Sequence, residues 1–172
     1  MKISGSYPLT SKPLAALALP LLFLVLTSGS IRLAEAGRDA NGQFMDTSVI
    51  GSQTSIIDGN VVIDQTNTGV IYGTFSGAYV TVVHLTLYRG VATYTAIDTC
   101  TCTVAGKLGT LVFIEKGTLL LVNGVFTLAS VAKVVEGSGQ LDGLKASIRL
   151  QGVVYDANGL TMGTYSGKVS ST

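Results

Sequence analysis

The sequence predicts an all-β domain: a single closed antiparallel barrel of about eight strands, with a two-sheet β-sandwich as the alternative. Three observations carry that expectation. From about Val49 onward, runs of Val, Ile, Thr, Tyr and Leu are interrupted by Gly or Asn roughly every eight to twelve residues, the pattern of short strands joined by tight turns. After the N-terminal segment, no stretch sustains a helical period without a glycine. Several strands are apolar on both faces, as expected where a barrel fills its lumen and also covers its outside.

The candidate strands are 48–57, 60–65, 69–75, 79–88, 91–96, 99–104, 110–115, 118–121, 125–135, 145–155 and 161–169, some of which are expected to merge. Asp58-Gly59-Asn60, Arg89-Gly90, Asn123-Gly124 and Asn158-Gly159 supply turn residues that tolerate positive φ. Asn123-Gly124, between LLLV and VFTL, is the strongest hairpin signal. Alternation then assigns faces: Tyr79, Thr81, Val83, Leu85 and Leu87 share one side, and Val80, Val82, His84, Thr86 and Tyr88 the other. Likewise Leu111, Phe113 and Glu115 oppose Thr110, Val112 and Ile114. In the segment 134–152, Val134 and Val135 read as a buried strand end. Gly137-Ser138-Gly139 reads as a tight turn capped by Ser138, 141–144 as a corner, and a new strand starts at Lys145.

The N-terminus carries an address. Lys2 and Lys12 precede an uncharged run over 14–26. At helical rise that run covers roughly 20 Å, short of the roughly 30 Å hydrocarbon core. Ala34-Glu35-Ala36 supplies a small-x-small cleavage site before Gly37. Residues 1–36 therefore read as a secretory signal peptide, 37–47 as a flexible leader and 48–172 as the β-barrel domain. The protein is expected to be secreted or extracytoplasmic, meeting a membrane only through the signal segment before cleavage. The alternative is an uncleaved anchor extending to Leu33, against which Arg32 and Pro20 weigh. With a formal net charge of +1 over the whole chain, the sequence lacks the basic footprint of a nucleic-acid binder.

Candidate chemistry is sparse. Glu115 ends an apolar strand on the Leu111–Phe113 side. If that side is the lumen, its carboxylate becomes a polar anchor or an acid/base group; the alternative leaves it at the rim beside Lys116. His84, the single histidine, lies mid-strand, and no H-x-H or H-E-x-x-H pattern exists, so no metal site and no cofactor are expected. Glu115 and His84 are the catalytic candidates; Tyr72, Tyr88, Tyr94 and Phe113 are the ligand-binding candidates. Cys100-Thr101-Cys102 puts two thiols on one strand face, compatible with reduced core residues, a locally distorted bridge or intermolecular links. Gly137-Ser138-Gly139 is no phosphate loop, since G-x-x-x-x-G-K-[ST] is missing and no helix start follows.

Two segments, GTLVFIEKGTLL (109–120) and VNGVFTLASVAKVVEGSGQLDGLKA (122–146), resemble the C-terminal half of the allene-oxide-cyclase-like barrel proteins. The resemblance is to small bacterial members of unknown function, and more distantly to plant dirigent proteins. Gly109, Gly117, Thr118, Val134, Val135, Gly137, Ser138, Gly139, Leu141, Gly143 and Leu144 carry it. It implies an eight-stranded antiparallel barrel whose lumen holds an apolar small molecule. The plant cyclases isomerise a fatty-acid epoxide in such a lumen, and dirigents steer phenoxy-radical coupling; no functional residue of either carries over by position. The expectation is a secreted carrier or binder of a small apolar ligand. Its rivals are an isomerase or cyclase acting on an apolar substrate, and an inert structural barrel whose outer faces make homo-oligomer contacts.

Overall fold

In a computed structural model, which describes residues 37–155 and 160–171, eight antiparallel strands follow one another around a ring. They are β1 (Arg38–Ile57), β2 (Asn60–Gly73), β3 (Phe75–Tyr88), β4 (Val91–Val104), β5 (Lys107–Val122), β6 (Val125–Gly139), β7 (Lys145–Val154) and β8 (Thr161–Ser170). Each pairs with the next, and β8 returns to β1 through Arg38↔Val169 to Met45↔Met162, so the barrel is closed. Closure leaves no free edge along that stretch. The sandwich alternative is set aside.

Eleven expected segments have become eight longer strands. The polar and glycine breaks around 66–68, 97–98 and 116–117 remain inside continuous ladders. Asp58-Gly59, Arg89-Gly90 and Asn123-Gly124 form the expected two-residue turns, both residues of each at positive φ. That mirror-image geometry matches the right-handed strand twist. Ala105-Gly106 makes a fourth such turn, unsignalled because alanine rarely takes positive φ. Asn158-Gly159 and the expected signal segment 1–36 lie outside the described residues.

Two expectations need correction. Residues 37–47 are not a flexible leader: from Arg38 they are the first half of β1, with Ala40, Phe44 and Asp46 buried at alternate positions. The alternation was hidden because the inward set is small, aromatic and acidic by turns rather than uniformly apolar. In the 134–152 segment, Gly137-Ser138-Gly139 is not a turn but the end of β6, paired with 109–111 of β5. Val134 is half-buried and Val135 is 55% exposed, because a bulge between Val112 and Phe113 of β5 leaves Val135 as the extra residue on β6. The corner lies where expected, at 141–144 with Gln140 leading into it and β7 starting at Lys145, and Leu141 N–H and Leu144 N–H close it by bonding to the Ser138 and Leu141 carbonyls.

The glycines of this segment serve Leu141. A Cβ on Gly137 would lie 2.3 Å from the Leu141 carbonyl oxygen, and one on Gly109 would lie 3.0 Å from Leu141 Cγ. Leu141 thus folds under the barrel and plugs it. Around it pack Phe75, Leu111, Val104, Cys102, Val169 and Tyr165, all but sealed from solvent. Cys100 and Cys102 are joined in a disulfide on the inner face of β4, the local-bridge option among those open from the sequence. Tyr165 locks this base: its hydroxyl accepts from Phe75 N–H at 3.0 Å and donates to the Tyr72 carbonyl at 3.1 Å. The base is full, whereas the other half of the barrel is not.

Candidate functional site

Beyond the packed base, toward the turns at 58–59, 89–90 and 123–124, the lumen opens into a cavity of about 330 Å3. Its walls near the turns are aliphatic and aromatic: Ile63, Leu85, Leu87, Leu119, Phe126 and Val154, all half-buried. Its floor is polar. Asp46 from β1, Asp98 from β4 and Glu115 from β5 converge there with Asn67, Tyr79, Thr81 and Tyr94.

Glycines set the two floor tyrosines. Tyr79 pairs across the strands with Gly69, and Tyr94 with Gly117. A Cβ on Gly69 would stand 2.2 Å from Tyr79 Cζ; one on Gly117 would stand 2.8 Å from the Tyr94 ring and 2.5 Å from Ser130 Cβ. Each ring therefore lies flat over a glycine, with its hydroxyl turned to a carboxylate. Tyr79 donates to Asp46 Oδ1 at 2.6 Å, and Tyr94 donates to Glu115 Oε1. Asn67 Nδ2 donates to Asp46 Oδ2 at 3.2 Å and is itself held by Gln65 at 2.7 Å. Asp98 reaches Thr81 and Glu115. Substituting Gly117→Ala is expected to cost about 1–3 kcal/mol of stability by displacing Tyr94 or Ser130. Urea unfolding compared with wild type checks this, and an unchanged midpoint would mean that the ring has room to move.

The electrostatics follow from burial. Desolvation, and then the Glu115 charge, lift the Asp98 carboxyl well above the usual range. Asp46 is raised by desolvation too, against the opposing hydrogen bonds from Tyr79, Asn67 and Thr161. Burial and the neighbouring carboxylates push both phenols far up, so they stay protonated donors. Among the described residues, no Lys, Arg or His lines the cavity. One further polar atom stands here: Ser130 Oγ, on β6 between the lining residues Leu128 and Ala132, is buried with no hydrogen-bond partner. Ser130 stands near the Tyr94 hydroxyl and pulls that phenol down slightly, against the larger upward push of burial and Glu115.

Of the residues singled out from the sequence, Glu115, Tyr94 and Phe113 line this cavity. Glu115 is only 7% exposed, inside rather than at the rim, because β5 continues past Gly117 to Val122. The others stand outside. His84 is exposed and pairs with Asp64 of β2 at 2.7 Å, on the face that alternation sets opposite Leu85. Tyr88 is exposed beneath the Arg89 guanidinium at 4.9 Å, and Tyr72 is exposed on the outer side of β2. Three floor residues were missed. Asp46 fell in the supposed leader, and Asp98 fell in a gap between supposed strands, although it shares parity with Tyr94 and Ala96. Tyr79 was placed on the right face without its role. Among the described residues no group of three potential ligands is arranged to hold a metal ion.

Fold and site together define a small single-barrel protein with a half-filled lumen. The chain belongs to the DUF3224 family, proteins of unknown function, whose pattern matches residues 39–153, from the start of β1 to β7. The fold is shared with a crystal structure of a DUF3224-family protein of unknown function from Shewanella oneidensis MR-1. That likeness has 19% identity and a TM-score of 0.52, over 77% of this chain and 96% of that one. No curated protein matches the chain.

Proposed function

We propose that this protein binds a small, largely apolar molecule in the barrel lumen and does so outside the cytoplasm. The observation that carries the reading is the cavity of about 330 Å3 with apolar walls, a size and lining typical of small-molecule sites. The resemblance to allene-oxide-cyclase-like barrels supports the same use of the lumen. The signal-like segment 1–36 and the Cys100–Cys102 disulfide support an oxidising compartment.

A second reading has its own observation in favour. Glu115 and Asp98 sit inside the cavity beside Tyr94, and the raised Asp98 carboxyl would stand as a proton donor to a bound substrate with a second acidic side chain next to it. An isomerase or cyclase of an apolar substrate would need that pair. His84, being outside, would contribute nothing to it.

Native mass spectrometry of the purified protein, together with titration of an environment-sensitive apolar dye, tests binding. A co-purifying small molecule, or dye fluorescence that rises saturably and falls when Leu85→Arg blocks the lumen, is the expected result. A silent dye and a ligand-free spectrum would refute it.

A further inference from the structure

We propose that the lumen selects amphipathic molecules with a cationic amine head. The head sits on the Asp46, Asp98 and Glu115 floor and the hydrocarbon part lies along the leucine-lined upper wall. This rests on the lumen being a binding site and names the class of ligand it would take.

The first argument is charge balance. Buried carboxyls are ordinarily paired with a cation. Here three of them meet from three strands, and among the described residues every facing group that could compensate is neutral: Gln65 and Asn67 from β2, Tyr79 and Thr81 from β3, Tyr94 from β4 and Thr161 from β8. Asp46 and Asp98 both feel Glu115, so the three act on one volume. A positive head supplies the missing partner.

The second argument is the kind of polar atom on the floor. An ammonium has three N–H donors, and Asp46, Asp98 and Glu115 all present carboxyl oxygens to the lumen.

The third argument is the polarity gradient. The polar residues form a layer against the packed base, whereas Ile63, Leu87, Leu119, Phe126 and Val154 lie toward the turns. A molecule with one charged end and an apolar remainder fits in one orientation only. A carboxylate-headed amphiphile would meet three like-charged or acidic groups, and a neutral alcohol would gain no charge-assisted bond. Burial and Glu115 raise the Asp98 carboxyl, and an ammonium beside it favours the ionised form, so binding is linked to proton release.

Isothermal titration of the protein with octylamine, octanol and octanoate, which share a chain length and differ in head, decides the matter. Octylamine is expected to bind roughly tenfold or more tightly than octanol, with octanoate weakest. Its apparent heat should differ between phosphate and MOPS buffers at pH 7 in the sense of protons released. Asp98→Asn combined with Glu115→Gln should shrink octylamine's advantage over octanol several-fold, read as the ratio of the two affinities within the same variant. If that pair does not fold, the wild-type comparison and Asp98→Asn alone, expected to weaken octylamine more than octanol, carry the test. Octanol or octanoate binding as tightly as octylamine would overturn the charge selection and leave lumen binding standing. No binding by any of the three, with the dye also silent, would remove both.

Discussion

Replacing Phe75 by alanine will lower the unfolding free energy by about 3–5 kcal/mol, the range for deleting a large, fully buried aromatic side chain. Phe75 has no exposed surface and stands at the start of β3, where the barrel base is most crowded. It meets Phe113 edge-on, at 5.6 Å between centroids and 85° between planes, and Tyr165 at 5.7 Å. Phe113 also lines the cavity above, so the same ring that fills the base supports the lumen floor. Deleting Phe75 leaves a void beneath Phe113, and the floor loses its footing as well as its packing. Urea denaturation followed by circular dichroism measures the loss. Phe75→Leu, which keeps most of the volume, should recover much of it. A loss below about 1.5 kcal/mol for alanine would mean that Leu141 and Leu111 collapse into the space and that the base is not held by this cluster.

That division between a full base and a hollow upper half explains what the sequence could and could not disclose. The face shared by Tyr79, Thr81, Val83, Leu85 and Leu87 was legible because the alternation there is unbroken, and it is the lumen face. The turns were legible because Asp58, Arg89 and Asn123 each precede a glycine in a hydrophobic setting. The polar floor was not. A carboxylate that points into a barrel looks, in one dimension, like a loop residue that ends a strand. Asp46 and Asp98 were lost to that ambiguity, and Glu115 was left between lumen and rim by it. The glycines misled in the opposite sense. Gly117 and Gly137 suggested strand ends, yet both lie within strands and are bare of a side chain because Tyr94 and Leu141 need the room. Cross-strand pairing of a glycine with an aromatic ring is a three-dimensional relation, and register had to be known before it could be seen.

The buried acids give the barrel a pH dependence of unusual sign. Most domains lose stability in mild acid because their carboxylates are paired as anions when folded. Asp98 and Asp46 are raised in the folded state, chiefly by burial, so the native protein binds more protons than the unfolded chain above the ordinary carboxylate value of 3.8. Their stabilising effect is fully present below that value and is lost as pH rises through their folded values. Thermal melts of the ligand-free protein should therefore show a higher Tm in weak acid than at pH 8. Asp98→Asn keeps a partner for Thr81 without a charge to bury. It should raise the Tm at pH 8 and flatten the profile, while Glu136→Gln on the exposed part of β6 changes neither. A wild-type profile that rises toward pH 8, with Asp98→Asn destabilising there, would show that Asp98 is ionised in the native barrel. The same melts repeated after exhaustive dialysis against an amine-free buffer would then tell whether a bound amine holds that anion or the hydrogen bond with Thr81 does.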